Sequence, residues 1–401
     1  MIIFHISNTS TPGAGSKTKP FPGDCFDEAM ATIHRQTKVT PEEPVKIIIG
    51  PGEYLTKGFA PGLHWDIRLA EQTVLKLVDV GMHGFHHPNN YVISTAWYGR
   101  PDGPEWNKTF SLTGGTLDAN WPAQSARGVS GVKFGGIHIQ SVRATIKNVD
   151  VINWGSNGLD LEHSEAFPLA VATISSEESR IHIKGCSVSR QHQFQGGYAT
   201  AINVVTTQDR YDGPHGDLFP WTVPRRSISA VVENNRVEGL YGHAYGCAWS
   251  ERVVFRRNYA EKCKAGFNID SGRNRNITIR DCQFIACNQG IHVGNFHEGE
   301  FDAFRITGNV FHLSAPFVNK LLNPVKTEFA YGVRLTHLPK NALISGNMFV
   351  TYPEQNLVDG FYGIGHCEGA ERPLLKANRF SGLNYYVAKD APFYREDLKL
   401  K

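Results

Sequence analysis

The strongest constraint in this 401-residue sequence is a pattern that returns at nearly even spacing between Ser227 and Asn295. Three segments align: SISAVVENNRVEGL, ERVVFRRNYAEKC and RNITIRDCQFIAC. Each is an alternating apolar strand, then a tight turn at Asn or Cys, then a small or apolar residue two positions on. Asn235 and Asn258 are 23 residues apart, and Asn258 and Cys282 are 24 apart. ITGNVF at Asn309, ISGNMF at Asn347 and LKANRF at Asn378 continue the series. A unit of this length cannot bury its apolar face alone, but stacked copies bury a continuous core. The strand-turn-strand content predicts a β-solenoid rather than a helical array.

Composition fits that reading. The 40 glycines and 23 phenylalanines suit many tight turns around an interior of stacked rings. Length alone suggests several domains, yet a repeat array makes one, so residues 1–401 are expected to form a single domain. A formal charge of +3 argues against a dedicated nucleic-acid binder. No apolar run is long enough to span a membrane. MIIFHISNTS has neither a basic segment nor a sustained apolar core, so the chain as written is expected in the cytoplasm. A trimmed leader would make it secreted or periplasmic. The 7 cysteines are an odd number without framework spacing. Cys186 and Cys282 fall at the turn of the repeat, where a small buried, reduced thiol fits.

Asp24 to Thr37 carries Phe26, Met30 and Ile33 at helical spacing with acidic residues at its start. A solenoid needs a cover over its open end, and 24–37 is the expected capping helix. KIIIGPGEY (46–54) then reads as a buried strand and a Gly-Pro-Gly turn, and DIRLAEQTVLKLV (66–78) as two more strands. The apolar strand into PGEY, the strand pair and GGTLDANW (114–121) together resemble the N-terminal region of the pectin-lyase-like superfamily. The resemblance runs over about residues 24–390 and implies a right-handed parallel β-helix, all-β and single-stranded. Its members include pectate and pectin lyases, polygalacturonases, related glycosidases and fructotransferases, and phage tailspikes. The polygalacturonase set needs Asn-Thr-Asp, Asp-Asp, Gly-His-Gly and Arg-Ile-Lys. This chain has GLDLE and GIHVGN, with no Asp-Asp and no Arg-Ile-Lys, so that set does not transfer. Residues 206–226, with Tyr211, Phe219 and Trp221, break the repeat and are expected to form a long functional loop. The charged tail 391–401 is expected to be peripheral.

Alternation along each strand separates inward from outward side chains. It turns Phe267, Ile269, Ile291 and Val293 inward. It sets Asp160, Asn203, the His243–Tyr245 region, Asn268, His292 and Arg334 in one outward row. Glu162, Asp270 and Thr336 form a second row. The register around YGHAYGCAW is open, because either glycine can begin the strand. Water alone explains polar outward residues one at a time. A row of Asp, Asn and His without Lys is better explained by a groove for sugar hydroxyls. Asn203, His243, Tyr245, Trp249, Asn268 and Arg334 are its expected binding residues, with Trp154, Tyr241, Tyr245 and Trp249 as stacking surfaces.

Hydrolysis needs two carboxyls about 5 Å or 6.5–9.5 Å apart. Asp160 and Glu162 are two positions apart on one strand, about 6.5–7 Å. Asp270 needs a partner from a loop, such as Asp209, Asp212, Asp217 or Glu298, and His292 orients it or acts as acid or base. Asp270, His292, Asp160 and Glu162 are therefore the candidate catalytic residues. The first expected function is glycosidase or transglycosidase cleavage of a polysaccharide or oligosaccharide. The second is a polysaccharide lyase acting on a uronate glycan, with Arg334 as the neutralising cation. A calcium ion on Asp160 and Glu162 would serve that second reading, but no dense oxygen cluster is evident, and otherwise no cofactor is expected. The third is a non-catalytic glycan-binding or tailspike-like rod. No nucleic-acid or membrane partner is expected, and the sequence leaves the oligomeric state open.

Overall fold

Apolar alternation in this chain is converted into stacked ladders. A computed structural model describes residues 1–11, 13–40, 42–80, 90–95, 107–128, 132–156, 167–173, 180–189, 192–193, 199–206, 229–240, 242–248, 250–269, 274–294, 301–314, 329–335, 340–351, 360–366, 373–383 and 385–389. They fall into two compact units, Met1–Ala199 and Thr200–Lys401.

In the first unit, successive strands pair in parallel with the strand one turn later. Val45–Ile49, His64–Leu69, Asn107–Thr113, the second half of Lys133–Lys147, and Arg180–Lys184 make one sheet. Gly52–Thr56, Thr73–Leu77, Thr116–Asp118, Asp150–Ile152 and Ser187–Val188 make another. Tyr91–Ser94, the first half of Lys133–Lys147, and Leu169–Ala172 make a third. Matched register stacks like on like. Ile47, Ile67, Leu112, Ile146 and Ile183 form one column, and Tyr54, Leu75, Leu117, Val151 and Val188 another, all buried.

Tyr54 ends its column, and the helix α1 (Phe26–Thr37) covers it. Phe26, Ala29, Met30 and Ile33 of α1 are buried. The Phe26 ring lies 5.6 Å from Tyr54 and 5.9 Å from Phe59. Asp27, in the first turn, accepts hydrogen bonds from Thr56 Oγ1 at 2.6 Å and the Lys57 amide at 3.0 Å. Its charge there also suits the positive end of the helix dipole.

The second unit repeats the three-strand turn. Its first sheet runs Ala230–Glu233, Val253–Arg256, Thr278–Arg280, Arg305–Thr307, Leu343–Ser345 and Leu374–Lys376. Its second runs Arg236–Glu238, Tyr259–Glu261, Gln283–Cys287, Val310–Leu313, Met348–Thr351 and Arg379–Ser381. Its third runs Thr200–Val205, His243–Cys247, Ala265–Ile269, Gln289–Val293, Phe329–Leu335, Gly360–His366 and Tyr385–Lys389. The fold is the parallel β-helix that the repeat predicted.

Only two residues make each corner between the first and second sheets. The first is left-handed: Asn234, Arg257, Asp281, Gly308, Gly346 and Ala377 have φ between 52° and 66°. The second points its side chain inward: Asn235, Asn258, Cys282, Asn309, Asn347 and Asn378. The amide of the second corner residue leaves the ladder, and the side-chain oxygen of the asparagine one rung on replaces its partner, as for Asn235, Cys282, Asn309 and Asn347. Asn309 Oδ1 accepts from the Cys282 amide at 2.9 Å, while its Nδ2 donates to Ile279 O and to Asn347 Oδ1, both at 3.0 Å. Asn347 makes the same bonds to Ile306 O and Asn378, and Asn235 donates to Asn258. Cys282 interrupts this amide ladder. Cys186 and Cys282 are buried free thiols, as expected, and burial pushes each up to about 12.

Beyond the corner, Phe284, Phe311, Phe349 and Phe380 stack with centroids 5.1, 4.7 and 5.1 Å apart. The third sheet makes room for them with glycine. A Cβ on Gly266, Gly290 or Gly332 would lie 2.1–2.3 Å from the ring of Phe284, Phe311 or Phe349 respectively. Beside the smaller Ala260, the corresponding strand carries Ala244 in place of glycine. Elsewhere, Glu251, Arg275, Asp302 and Lys340 follow one another across bridged rungs, so opposite charges alternate.

Two outcomes are expected. Asn309→Ala leaves the Cys282 amide without a buried partner and removes the side-chain bonds to Ile279 O and Asn347 Oδ1, a loss of about 1–3 kcal/mol, read as a lower urea midpoint. Gly266→Ala is destabilising by about 1–3 kcal/mol through overpacking against Phe284. Adding Phe284→Leu recovers part of that loss in a double-mutant cycle.

Candidate functional site

The third sheet of the second unit carries the row singled out above, and its strands are bent. Hydrogen-bonded register in each pair skips one residue: Ala201, Ala244, Gly266, Gly290, Gly332 and Gly363. Of these, Gly266, Gly290 and Gly332 meet the phenylalanine column. Close packing on the inside therefore sets the bend. On the outer side, residues flanking the skipped one at −1 and +2 turn toward each other.

Two outer rows result. One is Thr200, His243, Ala265, Gln289, Tyr331 and Tyr362; the other is Asn203, Gly246, Asn268, His292, Arg334 and Gly365. They meet across the bend at two places. Arg334 Nη1 donates to Tyr331 Oη at 3.3 Å, and the guanidinium carbon lies 5.4 Å from the Tyr331 ring centre. At the other, a Cβ on Gly246 would lie 2.7 Å from the Thr200 methyl and 3.4 Å from Asn203 Oδ1.

The second row is withdrawn from bulk solvent. Asn203, Asn268 and Arg334 are 9%, 7% and 8% exposed, and His292 is half-buried. Outward positions on the first sheet, such as Val254, Arg256, Thr278 and Arg305, are half-buried or exposed. Plain solvation accounts for those residues and not for the row. His243 accepts or donates a long 3.5 Å contact with Thr200 Oγ1 through Nδ1. Burial, helped by the charge of Lys264, pushes its imidazole down to about 3. The ring is neutral at physiological pH.

Five of the expected residues thus fall together: Asn203, His243, Asn268, His292 and Arg334. Tyr245 differs from expectation. It is inside, 1% exposed, and stacks at 6.5 Å on Phe267. Its hydroxyl reaches the carbonyls of Asn235 at 2.9 Å and Tyr259 at 2.8 Å. The open register at YGHAYGC resolves with Gly246, not Tyr245, in the row. Trp154, expected as a stacking surface, is likewise buried in the first unit, with Nε1 donating to Ser189 O at 3.1 Å. Asp160, Glu162, Asp270, Thr336, Tyr241 and Trp249 lie outside the described residues, as do 207–226 and 391–401. Reading the sequence missed Thr200, Gln289, Tyr331 and Tyr362. Strict alternation places them wrongly; the signal is the polar or aromatic residue before each skipped glycine, in QGIHV, YGVRL and YGIGH.

Among the described residues, no three His, Cys, Asp or Glu converge as a metal site. No helix among them is long and apolar enough to cross a membrane.

Residues 225–311 match the family model described as "Right handed beta helix region". The fold class is the right-handed parallel β-helix implied by the pectin-lyase-like resemblance. No curated protein matches the chain. Solved structures similar to it include the A-module of a mannuronan C-5 epimerase from Azotobacter vinelandii, at 15% identity and TM-score 0.44, covering 91% of this chain and 94% of that one. The surface protein and adhesin PfbA of Streptococcus pneumoniae has 13% identity and TM-score 0.43, covering 92% and 97%. A family 28 exopolygalacturonase from Yersinia enterocolitica has 9% identity and TM-score 0.43, covering 97% and 78%.

The His243 site has a measurable signature. Its folded value near 3 lies below the ordinary 6.5, so the unfolded chain takes up a proton first as pH falls. The stability present above about 6.5 is lost as pH drops toward 3. Melting temperature against pH should show this acid limb, and His243→Gln should flatten it.

Proposed function

We propose that the protein acts on an acidic glycan laid along the bent sheet, by removing the proton next to a uronate carboxylate. The observation that carries this reading is the buried Arg334 guanidinium, 3.3 Å from the Tyr331 hydroxyl and one rung from His292. Proton loss beside a carboxylate builds negative charge on that group, and a preorganised cation is what such a step needs. In the proposed geometry, Arg334 binds the carboxylate and His292 accepts the C5 proton. Tyr331 protonates the departing O4 as the C4–O4 bond breaks and the C4–C5 double bond forms. Asn203, Asn268 and Gln289 bind hydroxyls. The order of the two enzymatic expectations is thus reversed from the sequence, because the described groove contains a cation–phenol pair.

One observation keeps hydrolysis as a second reading. Asp270 directly follows Ile269, two residues after Asn268 of the row. With a second carboxylate it would supply acid–base cleavage.

Purified protein incubated with uronate and neutral polysaccharides tests both. Elimination gives an ultraviolet-absorbing unsaturated product, which Arg334→Gln or His292→Gln should reduce by about 10²–10⁴. New reducing ends without absorbance, abolished by Asp270→Asn, would replace elimination by hydrolysis. Tight binding with no product on any substrate would leave the glycan-binding rod.

A further inference from the structure

Two side chains of the second outer row are buried with nothing to bond. Asn203 and Asn268 are each at least nine-tenths buried, and neither carboxamide has a hydrogen-bond partner among the described residues. The corner asparagines of the same unit differ, because their amides bond to one another and to the backbone. A desolvated amide without a partner is costly, so the pair calls for groups that complete it. Between them stands Gly246. Register places Asn203, Gly246 and Asn268 on three successive rungs, which sets the outer two about 10 Å apart by strand stacking. Gly246 adds no side chain there, and Asn203 Oδ1 lies 3.4 Å from the point its Cβ would take. The Asn203 acceptor therefore leans over the glycine. In the two rows, these rungs present Thr200, Asn203, His243, Gly246, Ala265 and Asn268. None of the six is charged at physiological pH, since burial keeps the His243 ring neutral.

We infer that Asn203, Gly246 and Asn268 form a subsite for one uncharged sugar, whose hydroxyls complete the hydrogen bonds of both amides. This rests on the reading of the bent sheet as the glycan groove. A carboxylate only accepts hydrogen bonds and would leave the Asn203 oxygen unanswered. A hydroxyl donates to that oxygen and accepts from an amide N–H, so it serves both halves of each carboxamide. The subsite is centred three rungs from Arg334, about 14 Å or roughly three sugars along the stack. The glycan therefore carries a neutral sugar at that remove from the reacting uronate, which makes it a mixed heteroglycan rather than a homopolyuronate. Gly246 determines the specificity. Any side chain there would stand between the two amides and press on the Thr200 methyl, 2.7 Å from its Cβ.

The test measures Kd by calorimetry and product by ultraviolet absorbance on the full chain. The probes are oligogalacturonates of two to eight sugars, and mixed oligosaccharides of the same lengths in which glucuronate alternates with N-acetylglucosamine or with glucose. A mixed octasaccharide should bind at least about tenfold more tightly than the octagalacturonate. Asn203→Ala and Asn268→Ala should each weaken it about three- to tenfold, and Gly246→Ala about tenfold. These losses should be greater for octasaccharides than for disaccharides and should hardly change with salt, as an uncharged contact requires. Octagalacturonate bound as tightly as the mixed sets would overturn the inference. An unchanged Kd in folded Asn203→Ala and Asn268→Ala proteins would do the same, and the reaction reading would survive it if Arg334→Gln still lowered turnover. Mixed-glycan binding that depends on Asn203 but yields no product would uphold the subsite and retire the reaction. If no set binds and Arg334→Gln changes nothing, the groove reading and the subsite fail together. A thermal melt of each variant separates lost binding from lost folding.

Discussion

Every rung of the second unit depends on what happens to the peptide groups at its tightest corner. A parallel sheet satisfies its own backbone, but a two-residue corner turns the amide of its inward residue away from that ladder inside a dry core. The side-chain amide of asparagine offers both a donor and an acceptor at the length of a backbone group. Stacked at Asn235 and Asn258, and again from Asn309 to Asn378, it carries the hydrogen-bond ladder through the bend. The left-handed residue just before it aims the side chain inward. The corner fixes the rise from rung to rung, and the aliphatic and phenylalanine columns follow that rise.

The same columns shape the outer surface. Phenylalanine on the second sheet leaves no space for a side chain on the facing strand, so glycine occupies that point and the strand bends around it. The bend brings Arg334 to Tyr331 and Thr200 toward Gly246 and Asn203. Polar groups that a flat sheet would spread in water are thereby drawn together and largely desolvated. In such surroundings, charges and hydrogen bonds act more strongly than they would at an open surface.

Much of this was legible in the sequence, for a physical reason in each case. The inward asparagines recur because the corner chemistry admits few substitutes, so the rung could be read directly. The outward row Asn203, Asn268, His292 and Arg334 followed from period-two alternation where the strand is straight. Tyr331, Gln289 and Tyr362 were hidden because alternation fails across the bend, and the cause of the bend lies on a different sheet, in Phe311 and Phe349. Tyr245 was misplaced because two glycines flank it and only packing against Phe267 chooses between registers. The function is less legible than the fold, since the α-proton reading rests on a guanidinium–phenol contact between residues three apart that no pattern of hydropathy announces.

The amide ladder links partners 23, 38 and 31 residues apart in sequence, at Asn235–Asn258, Asn309–Asn347 and Asn347–Asn378. Strand lengths in the first two sheets hardly vary across those intervals, so the surplus residues sit on either side of the third-sheet strand. The scaffold therefore keeps its pitch while the number of residues before and after each third-sheet strand changes. Length can thus be added or removed beside the third sheet without rebuilding the spine.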